Sequence, residues 1–537
     1  MDMVTELLRE KIRQGSTSLG IELGSTRIKA VLVDDKCTVI ASGSCRWESR
    51  LENGYWTYRL EDVWAGIQTC YQRLAEDVEA RYALPLKTIG AIGISAMMHG
   101  YLPFDAEGRL LVPFRTWKNT STEQAAEELS TLFSCNIPQR WSIAHLHQAI
   151  LNREDHVSRL NYLTTLSGYV HWMLTGEKVL GIGDASGMFP IDSSAGNYRA
   201  DLLTRYRERI AGHGFVWNIS EVLPEVYCAG KPAGILSERG AKLLDPSGML
   251  EAGIPFAPPE GDAGTGMVAT NSISPKTGNV SAGTSVFAMV VLDRPLEKMH
   301  TEIDMVTTPT GQPVAMVHCN NCTSDLNAWA ELFKEAVMQF GFCVDDDTLF
   351  ATLYQTALEG DPDCGGLLSY NYSAGEPVNH LPEGRPLFVR TPSSRFCLAN
   401  FMKAHLFSAV AALRMGLDIL FQEEHVVLHT LVGHGGYFKT PDVGQRFMAA
   451  AVETPVTILE TAGEGGAWGM ALLAEYVRTR TPERRLEDFL NDTGFVSQKT
   501  VTQTPIPEDV QGFQQYLAQY RAGLEIERSA ICCLHEE

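Results

Sequence analysis

Hydrophobic and polar positions near the start of the chain alternate in short runs that turn residues separate. Residues 19–21 and 28–33 are rich in apolar side chains, and a third β-rich run covers 38–41. Gly24-Ser25-Thr26 and Asp34-Asp35 stand between these runs. A period of two with turn residues at the breaks predicts an antiparallel meander of three strands.

The period then becomes helical. Over residues 62–79, apolar side chains from Val63 to Val78 recur every three or four positions and so share one face of a helix. An apolar run over 89–94 follows and predicts a buried strand. Strands that alternate with helices predict an α/β domain.

The opening pattern recurs about 260 residues further along the chain. Residues 278–291 repeat the order of strand, glycine with two hydroxyls, and strand, with Gly283-Thr284-Ser285 in the turn. A spacing of this size is that of one domain. The repeat therefore predicts a duplicated fold that closes on one ligand from both sides, with a boundary near 266–275.

The pattern continues to the C-terminal part of the chain. A glycine-rich turn over 433–436 follows a predicted strand over 426–431. A strand over 456–459 and a small-residue helix over 467–477 come next.

Size and charge narrow the class of protein. With 537 residues, the chain exceeds one compact core and predicts two or three domains. A formal net charge of -21 disfavours nucleic acid and anionic membranes as partners. The apolar run over 406–421 contains Arg414 and Asp418, and the first 15 residues lack the apolar segment of a signal peptide. We expect a cytoplasmic protein.

The twelve cysteines are scattered and do not predict a disulfide framework. The spacing of Cys319 and Cys322 matches half of a zinc site, but no second pair completes it. Two reduced thiols beside a buried strand are the favoured interpretation.

The two glycine-hydroxyl turns are candidates for phosphate binding. Such a turn offers backbone N–H groups and hydroxyls to an anion, and glycine permits close approach. Lys29 could add a positive charge to the first turn. Each turn taken alone favours a plain hairpin; two at domain spacing, with the later glycine-rich turn, favour a nucleotide held between domains.

Asp262 is the candidate general base, because glycines flank it at the predicted domain junction. It could also be a turn residue or a helix N-cap. Glu22 ends a predicted strand beside the first turn and could orient the water shell of Mg²⁺, or simply pair with a lysine. Met98 and His99 follow a buried strand, where α/β folds place ligands, so His99 could bind a sugar hydroxyl or be structural.

Together these motifs resemble the FGGY carbohydrate kinases, and xylulokinases and ribulokinases among them most closely. The resemblance covers roughly residues 18–477. The matching segments are Gly20-Ile21-Glu22-Leu23-Gly24-Ser25-Thr26, Gly93-Ile94-Ser95-Ala96-Met97-Met98-His99-Gly100, Leu174-Thr175-Gly176-Glu177, Gly183-Asp184-Ala185-Ser186-Gly187, Gly261-Asp262, Ala282-Gly283-Thr284-Ser285, Lys403-Ala404-His405-Leu406 and Gly433-His434-Gly435-Gly436.

The resemblance implies two ribonuclease-H-like domains of the actin and hexokinase type, with a catalytic cleft between them. We expect an N-terminal extension over 1–17, an N-terminal domain over 18–268, a C-terminal domain over 269–480 and a C-terminal extension over 481–537. It also implies transfer of the γ-phosphate of ATP, with Mg²⁺, to a terminal hydroxyl of a ketose.

The resemblance carries roles to matching residues. Asp262 would be the general base, and Glu22 and Asp262 would hold Mg²⁺ through water. The sugar would contact Met98, His99, Trp117 and Asp262. The nucleotide and its phosphates would contact Gly24, Ser25, Thr26, Lys29, Gly283, Thr284, Ser285, Gly435 and Gly436.

Departures from the family pattern keep alternatives open. Glu22 stands where the family usually has Asp, Ala263 where xylulokinases have Asn, and His145 and Gln148 where a family helix has Lys and Trp. We expect a pentulose as acceptor. Glycerol, a hexulose, a heptulose or an autoinducer-like molecule are alternatives, as is a non-catalytic nucleotide-dependent sugar sensor. A small sugar is the expected partner, and a homodimer is possible.

Overall fold

The computed structural model describes residues 3–459, 465–496 and 498–534. Its strands, in chain order, are β1 (Thr17–Leu23), β2 (Arg27–Asp34), β3 (Val39–Arg46), β4 (Arg50–Glu52), β5 (Tyr55–Thr57), β6 (Ala91–Ala96), β7 (Leu102–Phe104), β8 (Tyr162–Thr164), β9 (Val179–Gly181), β10 (Ile191–Asp192), β11 (Asn197–Tyr198), β12 (Glu225–Tyr227), β13 (Glu260–Gly261), β14 (Thr277–Ala282), β15 (Val286–Val291), β16 (Ile303–Thr307), β17 (Pro313–Cys319), β18 (Leu368–Tyr370), β19 (Leu387–Val389), β20 (Thr430–His434), β21 (Val456–Leu459) and β22 (Thr500–Gln503).

The α-helices connect and cover these strands. In chain order they are α1 (Met3–Arg13), α2 (Leu60–Tyr82), α3 (Glu123–Phe133), α4 (Ser142–Leu151), α5 (Leu166–Thr175), α6 (Ile182–Ala185), α7 (Ala200–Ile210), α8 (Ile219–Val222), α9 (Glu238–Leu244), α10 (Asp262–Ala269), α11 (Ser324–Gln339), α12 (Asp346–Thr356), α13 (Leu398–Asp418), α14 (Val443–Val452), α15 (Gly465–Thr479), α16 (Leu486–Phe489), α17 (Pro507–Ala522) and α18 (Leu524–Cys533).

The chain forms two compact units. Unit 1 comprises Met1–Ser274, Met305–Val314 and Gly463–Ser497, and unit 2 comprises Pro275–Asp304, Ala315–Ala462 and Gln498–Glu537.

Helix α15 lies in unit 1, although the predicted boundaries assign it to the C-terminal domain. The reason is its packing against β1 and β6 of unit 1. The predicted domain boundaries themselves stay a prediction.

The main sheet of unit 1 has the strand order β13-β6-β1-β2-β3. β1 pairs antiparallel with β2, and β2 pairs antiparallel with β3, which is the predicted meander. β6 is parallel to β1, and β13 is parallel to β6. The carboxyl ends of β1, β6 and β13 therefore point to the same edge of the sheet.

Helices α2 and α15 cover this sheet, and glycines allow them to approach closely. A Cβ at Gly43 would overlap the backbone of α2, and one at Gly20 would overlap the backbone of α15 at Ala467. Side chains alternate between the faces of a strand, so Ser18 and Glu22 face α15 as Gly20 does. Ser18 Oγ indeed donates to Glu475 of α15 over 2.8 Å.

The main sheet of unit 2 has the order β16-β17-β15-β14-β20-β21-β22. β14 pairs antiparallel with β15 and parallel with β20, and β20 is parallel to β21. This order of a hairpin followed by two parallel strands is the one that β1, β2, β6 and β13 form in unit 1. The repeated sequence pattern thus corresponds to a repeated strand arrangement.

Two predicted strands have different bounds in the structure. The strand predicted over 89–94 is β6, Ala91–Ala96, and the N–H of Gly90 just before it donates to the Thr17 carbonyl of β1. The strand predicted over 426–431 is β20, Thr430–His434. The preceding residues follow a π-helical turn, Ile419–Glu423, and the N–H of Val426 donates to the carbonyl of Leu420 in that turn.

The apolar run over 406–421 lies in a core helix of unit 2. Helix α13 and the turn that follows it, Leu398–Glu423, are long and apolar enough to cross a membrane, but most of this helix is buried inside the structure. Arg414 Nε donates to Asp418 Oδ1 over 2.8 Å, so the two charged side chains within the run over 406–421 are paired. Cys319 and Cys322 are both buried free thiols, and Cys319 ends β17.

Candidate functional site

The predicted base, metal ligand and sugar contact meet at one edge of the sheet of unit 1. Glu22 is the second-last residue of β1, Met98 comes two residues after β6, and Asp262 directly follows β13. The three strands are parallel to one another, so their carboxyl ends converge. Glu22 and Asp262 are separated by most of a domain in the sequence, but the fold brings them to the same edge of the sheet.

Asp262 is held by two backbone donors. Its Oδ1 accepts hydrogen bonds from the N–H of Met98, over 3.1 Å, and of Ala263, over 3.0 Å. It is the first residue of α10, and the N-cap is Gly261 rather than Asp262. Burial raises the pKa of Asp262 above its usual value and outweighs the backbone hydrogen bonds, which lower it.

The side chain of Glu22, a residue of β1, faces the start of α15. In the sheet its neighbours are Lys29 on β2 and Ser95 on β6, and a Cβ at Gly466 would overlap its Oε1. Burial and then the charge of Asp262 raise the pKa of Glu22 to about 7, against the opposing charge of Lys29. The charge of Asp262 therefore acts on Glu22.

Met98 and His99 form one wall of this site. His99 has a φ of +70°, in the left-handed region that non-glycine residues seldom occupy. The carbonyl of Gly187 lies 3.3 Å from Nδ1 of His99, so this nitrogen carries the proton, and the ring stacks on Trp141 at 6.5 Å between centroids. The strained backbone and the enclosed ring fix the direction of the histidine.

The turn between β1 and β2 contains Gly24, Ser25 and Thr26. Trp117 contacts it, since the indole N–H donates to Ser25 Oγ over 3.3 Å, and the side chain is about a third exposed, at 37%. Lys29 lies on β2 opposite Glu22 rather than at the turn tip. The structure therefore brings all the predicted residues of unit 1 to one edge of its sheet.

The predicted nucleotide residues of unit 2 also lie together. Gly283, Thr284 and Ser285 join β14 to β15, and Gly435 follows β20, which pairs with β14. Gly435 has a φ of +104°, and a Cβ there would overlap the carbonyl of Ala282. A side chain at this position would block the approach of the two segments, which explains why glycine is required there.

Two buried acids beside Asp262 escaped the sequence analysis. Glu260, two residues before Asp262, accepts from the N–H groups of Gly183, over 3.3 Å, and Asp184, over 2.9 Å. Asp184 Oδ2 accepts from the Thr165 hydroxyl over 2.7 Å, and its Oδ1 has no hydrogen-bond partner in the described part of the chain.

Their environment raises the pKa of both acids. Burial, and then the charge of Asp184, raises the pKa of Glu260 to about 8. Burial raises the pKa of Asp184 to about 7, and the charge of Asp262 adds a smaller increase. The match to Gly183-Asp184 in the sequence was the one signal for this pair.

The residues present fit the expected ligands. Mg²⁺ prefers oxygen donors, keeps several waters and is bound through one or two carboxylates, and Glu22 and Asp262 supply such a pair. Within the described ranges no group of three or more acidic, histidine or cysteine side chains could hold a metal. A water-mediated site therefore suits this chain better than a full protein cage. The two glycine-hydroxyl turns present the N–H and O–H donors that phosphates require.

Comparisons with known proteins agree with this architecture. The N-terminal domain model of the FGGY family of carbohydrate kinases matches residues 17–268, and the C-terminal domain model matches residues 278–477. A xylulose kinase of Haemophilus influenzae is 22% identical over 464 residues, which are 84% of this chain and 89% of that protein.

Solved structures share the fold. A ligand-bound xylulose kinase from Lactobacillus acidophilus has a TM-score of 0.78 and 17% identity over 96% of this chain and 98% of its own. A xylulose kinase from Rhodospirillum rubrum has a TM-score of 0.77 and 19% identity over 95% of this chain and 99% of its own. The predicted two-domain α/β fold and the predicted family are confirmed. The chain belongs to the FGGY family of carbohydrate kinases and is a sugar phosphotransferase.

Proposed function

We propose that this kinase transfers the γ-phosphate of ATP to a terminal hydroxyl of a pentulose, xylulose or ribulose. The single observation that carries this proposal is the position of Asp262, which lies at the convergence of three strand ends, beside Met98, where its charge raises the pKa of Glu22. The similarity to xylulose kinases supports a pentulose as the acceptor.

In the proposed reaction, Asp262 receives the proton of the attacking hydroxyl. Its Oδ1 is already engaged by the N–H groups of Met98 and Ala263, so Oδ2 is the oxygen assigned to that proton. A general base is most effective when its pKa approaches the working pH, and burial moves the pKa of Asp262 in that direction. Phosphoryl transfer otherwise depends mainly on positioning and charge neutralisation.

The remaining predicted residues take supporting roles in this proposal. Met98, His99 and Trp117 bind and orient the sugar, and Glu22 with Asp262 holds the water shell of Mg²⁺. The metal, when bound, neutralises the charge of the transferring phosphoryl group. Gly24 to Thr26, with Lys29, and Gly283 to Ser285 bind the phosphates of ATP, and Gly435 and Gly436 face the adenosine.

Ala263 bears on which sugar is the acceptor. A methyl group here cannot give the amide contact that Asn gives in xylulokinases, so glycerol, a hexulose, a heptulose or an autoinducer-like molecule is the second candidate class. A cytoplasmic location belongs to the same proposal, since a ketose and ATP meet there. The predicted homodimer stays a prediction.

A coupled assay for ADP over a panel of ketoses and polyols tests the proposal. D-xylulose, D-ribulose or L-ribulose should stimulate ADP release well above the rate without sugar, and Asp262→Ala should abolish the stimulation. Stimulation by a non-pentulose alone would move the assignment to the second class. ATP binding without stimulation by any acceptor would contradict the kinase and favour a sugar sensor.

A further inference from the structure

The turn between β1 and β2 has all three of its backbone carbonyls bound by one neighbouring segment. The Gly24 carbonyl accepts from the indole N–H of Trp47 over 2.7 Å, and the Ser25 carbonyl accepts from the Tyr58 hydroxyl over 2.6 Å. The Thr26 carbonyl accepts from the backbone N–H of Trp47 over 3.2 Å. Two side chains and one backbone group thus hold the whole turn.

This anchoring determines where the N–H groups of the turn point. In a planar trans peptide, the C=O and N–H bonds point in opposite directions. Because the carbonyls of residues 24–26 all point to the segment with Trp47 and Tyr58, the N–H groups of Ser25, Thr26 and Arg27 point away from it. Consecutive N–H groups that face one way form a concave anion site.

The turn in unit 2 has two of its three carbonyls anchored by a neighbouring segment, through different chemistry. The Gly283 carbonyl accepts from the N–H of Thr323, over 3.0 Å, and from its hydroxyl, over 2.8 Å. The Thr284 carbonyl accepts from the N–H of Cys322 over 3.0 Å, and the Ser285 carbonyl from the N–H of Gly283 over 2.9 Å. Residues 322–323 thus bind two of the three carbonyls, so the peptides that follow Gly283 and Thr284 have the orientation found in the first turn, although no aromatic anchor is shared.

We infer that Trp47, Tyr58 and Thr323 are positioning residues that orient the peptide N–H groups of the two turns toward the phosphates of ATP. The inference rests on the proposed function, because it assumes that these turns bind phosphate. Trp47 and Tyr58 are buried, at 8% and 2% exposure, and their rings stack at 4.2 Å, so packing holds both donors at the turn. Preorganised donors lose less entropy on binding than free ones.

Tyr58→Phe tests the inference most cleanly, since it removes one hydroxyl and leaves the stacked ring. Loss of one such hydrogen bond corresponds to a change of about fivefold in affinity. We expect the Kd of the full-length protein for ATP, measured by calorimetry, to rise about fivefold, and the KM for ATP to rise in parallel. The KM for the sugar should stay within about twofold.

Tyr82→Phe is the matched control, because the Tyr82 hydroxyl donates to the Ile40 carbonyl over 3.1 Å elsewhere in unit 1. Both variants lose a phenol-to-carbonyl hydrogen bond, but only the Tyr58 variant should bind ATP more weakly. Thr323→Val provides the second test in unit 2, since it keeps the N–H bond to Gly283 and loses the hydroxyl bond. This variant should also bind ATP more weakly, without a change in the KM for the sugar.

Equal ATP affinity in Tyr58→Phe, Tyr82→Phe and the unmodified protein would overturn the inference, as would an equal rise in both KM values in Tyr58→Phe. The calorimetric readout separates this failure from failure of the proposed function. A protein that binds ATP through anchored turns but phosphorylates no sugar would still show the Tyr58 effect.

Discussion

The backbone N–H of Met98 lies 3.1 Å from Oδ1 of Asp262 and donates a hydrogen bond to it. This bond joins the end of β6, which carries the predicted sugar contacts, to the first residue of α10, which carries the predicted base. The orientation of the carboxylate and the position of the sugar wall are therefore coupled. Changes to either side should alter catalysis before they alter the fold.

Gly187→Ala should weaken sugar binding. A Cβ at Gly187 would lie 2.5 Å from Nδ1 of His99, and the strained backbone of His99 leaves little freedom to relax. Overpacking of this kind costs about 1–3 kcal/mol, so we expect the KM for the sugar to rise about tenfold while the KM for ATP stays unchanged. Steady-state kinetics with each substrate varied separately measures both.

Gly212→Ala is the control for this substitution, because a Cβ at Gly212 would meet nothing within 4 Å. Its kinetics should match those of the unmodified enzyme. Equal sugar KM values for the two variants would refute the role assigned to His99.

Glu22→Gln should weaken the response to Mg²⁺. The substitution keeps the size of the side chain and removes the carboxylate whose pKa the charge of Asp262 raises. Loss of a group that orients a metal's water shell costs about 10- to 100-fold in metal affinity. We expect the Mg²⁺ concentration for half-maximal activity to rise at least about tenfold in a titration at saturating ATP and sugar.

Glu61→Gln, at an exposed position of α2, should leave the Mg²⁺ titration unchanged. A Glu22→Gln enzyme with the same Mg²⁺ requirement as this control would argue against a metal at Glu22.

Glu376→Gln should change how stability depends on pH. Glu376 is fully buried in unit 2, and burial raises its pKa from 4.5 to about 7. A raised pKa means that the folded state binds the proton more tightly, so its contribution to stability is complete below pH 4.5 and is lost as pH rises through 7. The shift corresponds to about 3 kcal/mol.

Chemical denaturation at pH 5 and pH 8 measures this effect. The unmodified protein should lose more free energy of unfolding between these pH values than Glu376→Gln does. Glu359→Gln, at an exposed position, should keep the dependence of the unmodified protein. A Glu376→Gln variant with an unchanged pH dependence would show that Glu376 is already ionised in the folded state.

Local patterns predicted the hairpins well, because alternation and turn chemistry act over a few residues. The strand-turn-strand segments around Gly24 and Gly283 lie where the sequence pattern placed them, and the repeat has a counterpart in the two sheets. The predicted bounds of β20 were wrong because residues 426–429 follow a π-helical turn, and the bond from the Val426 N–H to the Leu420 carbonyl has no clear signature in the local sequence.

Features that depend on packing between distant parts of the chain could not be predicted from the sequence. Helix α15 joins unit 1 because Gly20 lets it approach β1, although some 440 residues separate them in the chain. Glu260 and Asp184 are ordinary acids until the fold buries them together. The hydrogen bonds of Trp47 and Tyr58 to the first turn have no signature in the sequence, because they form only when the fold brings the segments together.

The most direct test of the account is product formation by Asp262→Asn. Asn can still accept the N–H bonds of Met98 and Ala263 through Oδ1, so the site should stay in place while the base is lost. With ATP, Mg²⁺ and the preferred pentulose, phosphorus NMR should show a sugar phosphate monoester from the unmodified enzyme. Asp262→Asn should form it at least about 10²-fold more slowly. Product formation at the unmodified rate would contradict the assignment of Asp262 as the base.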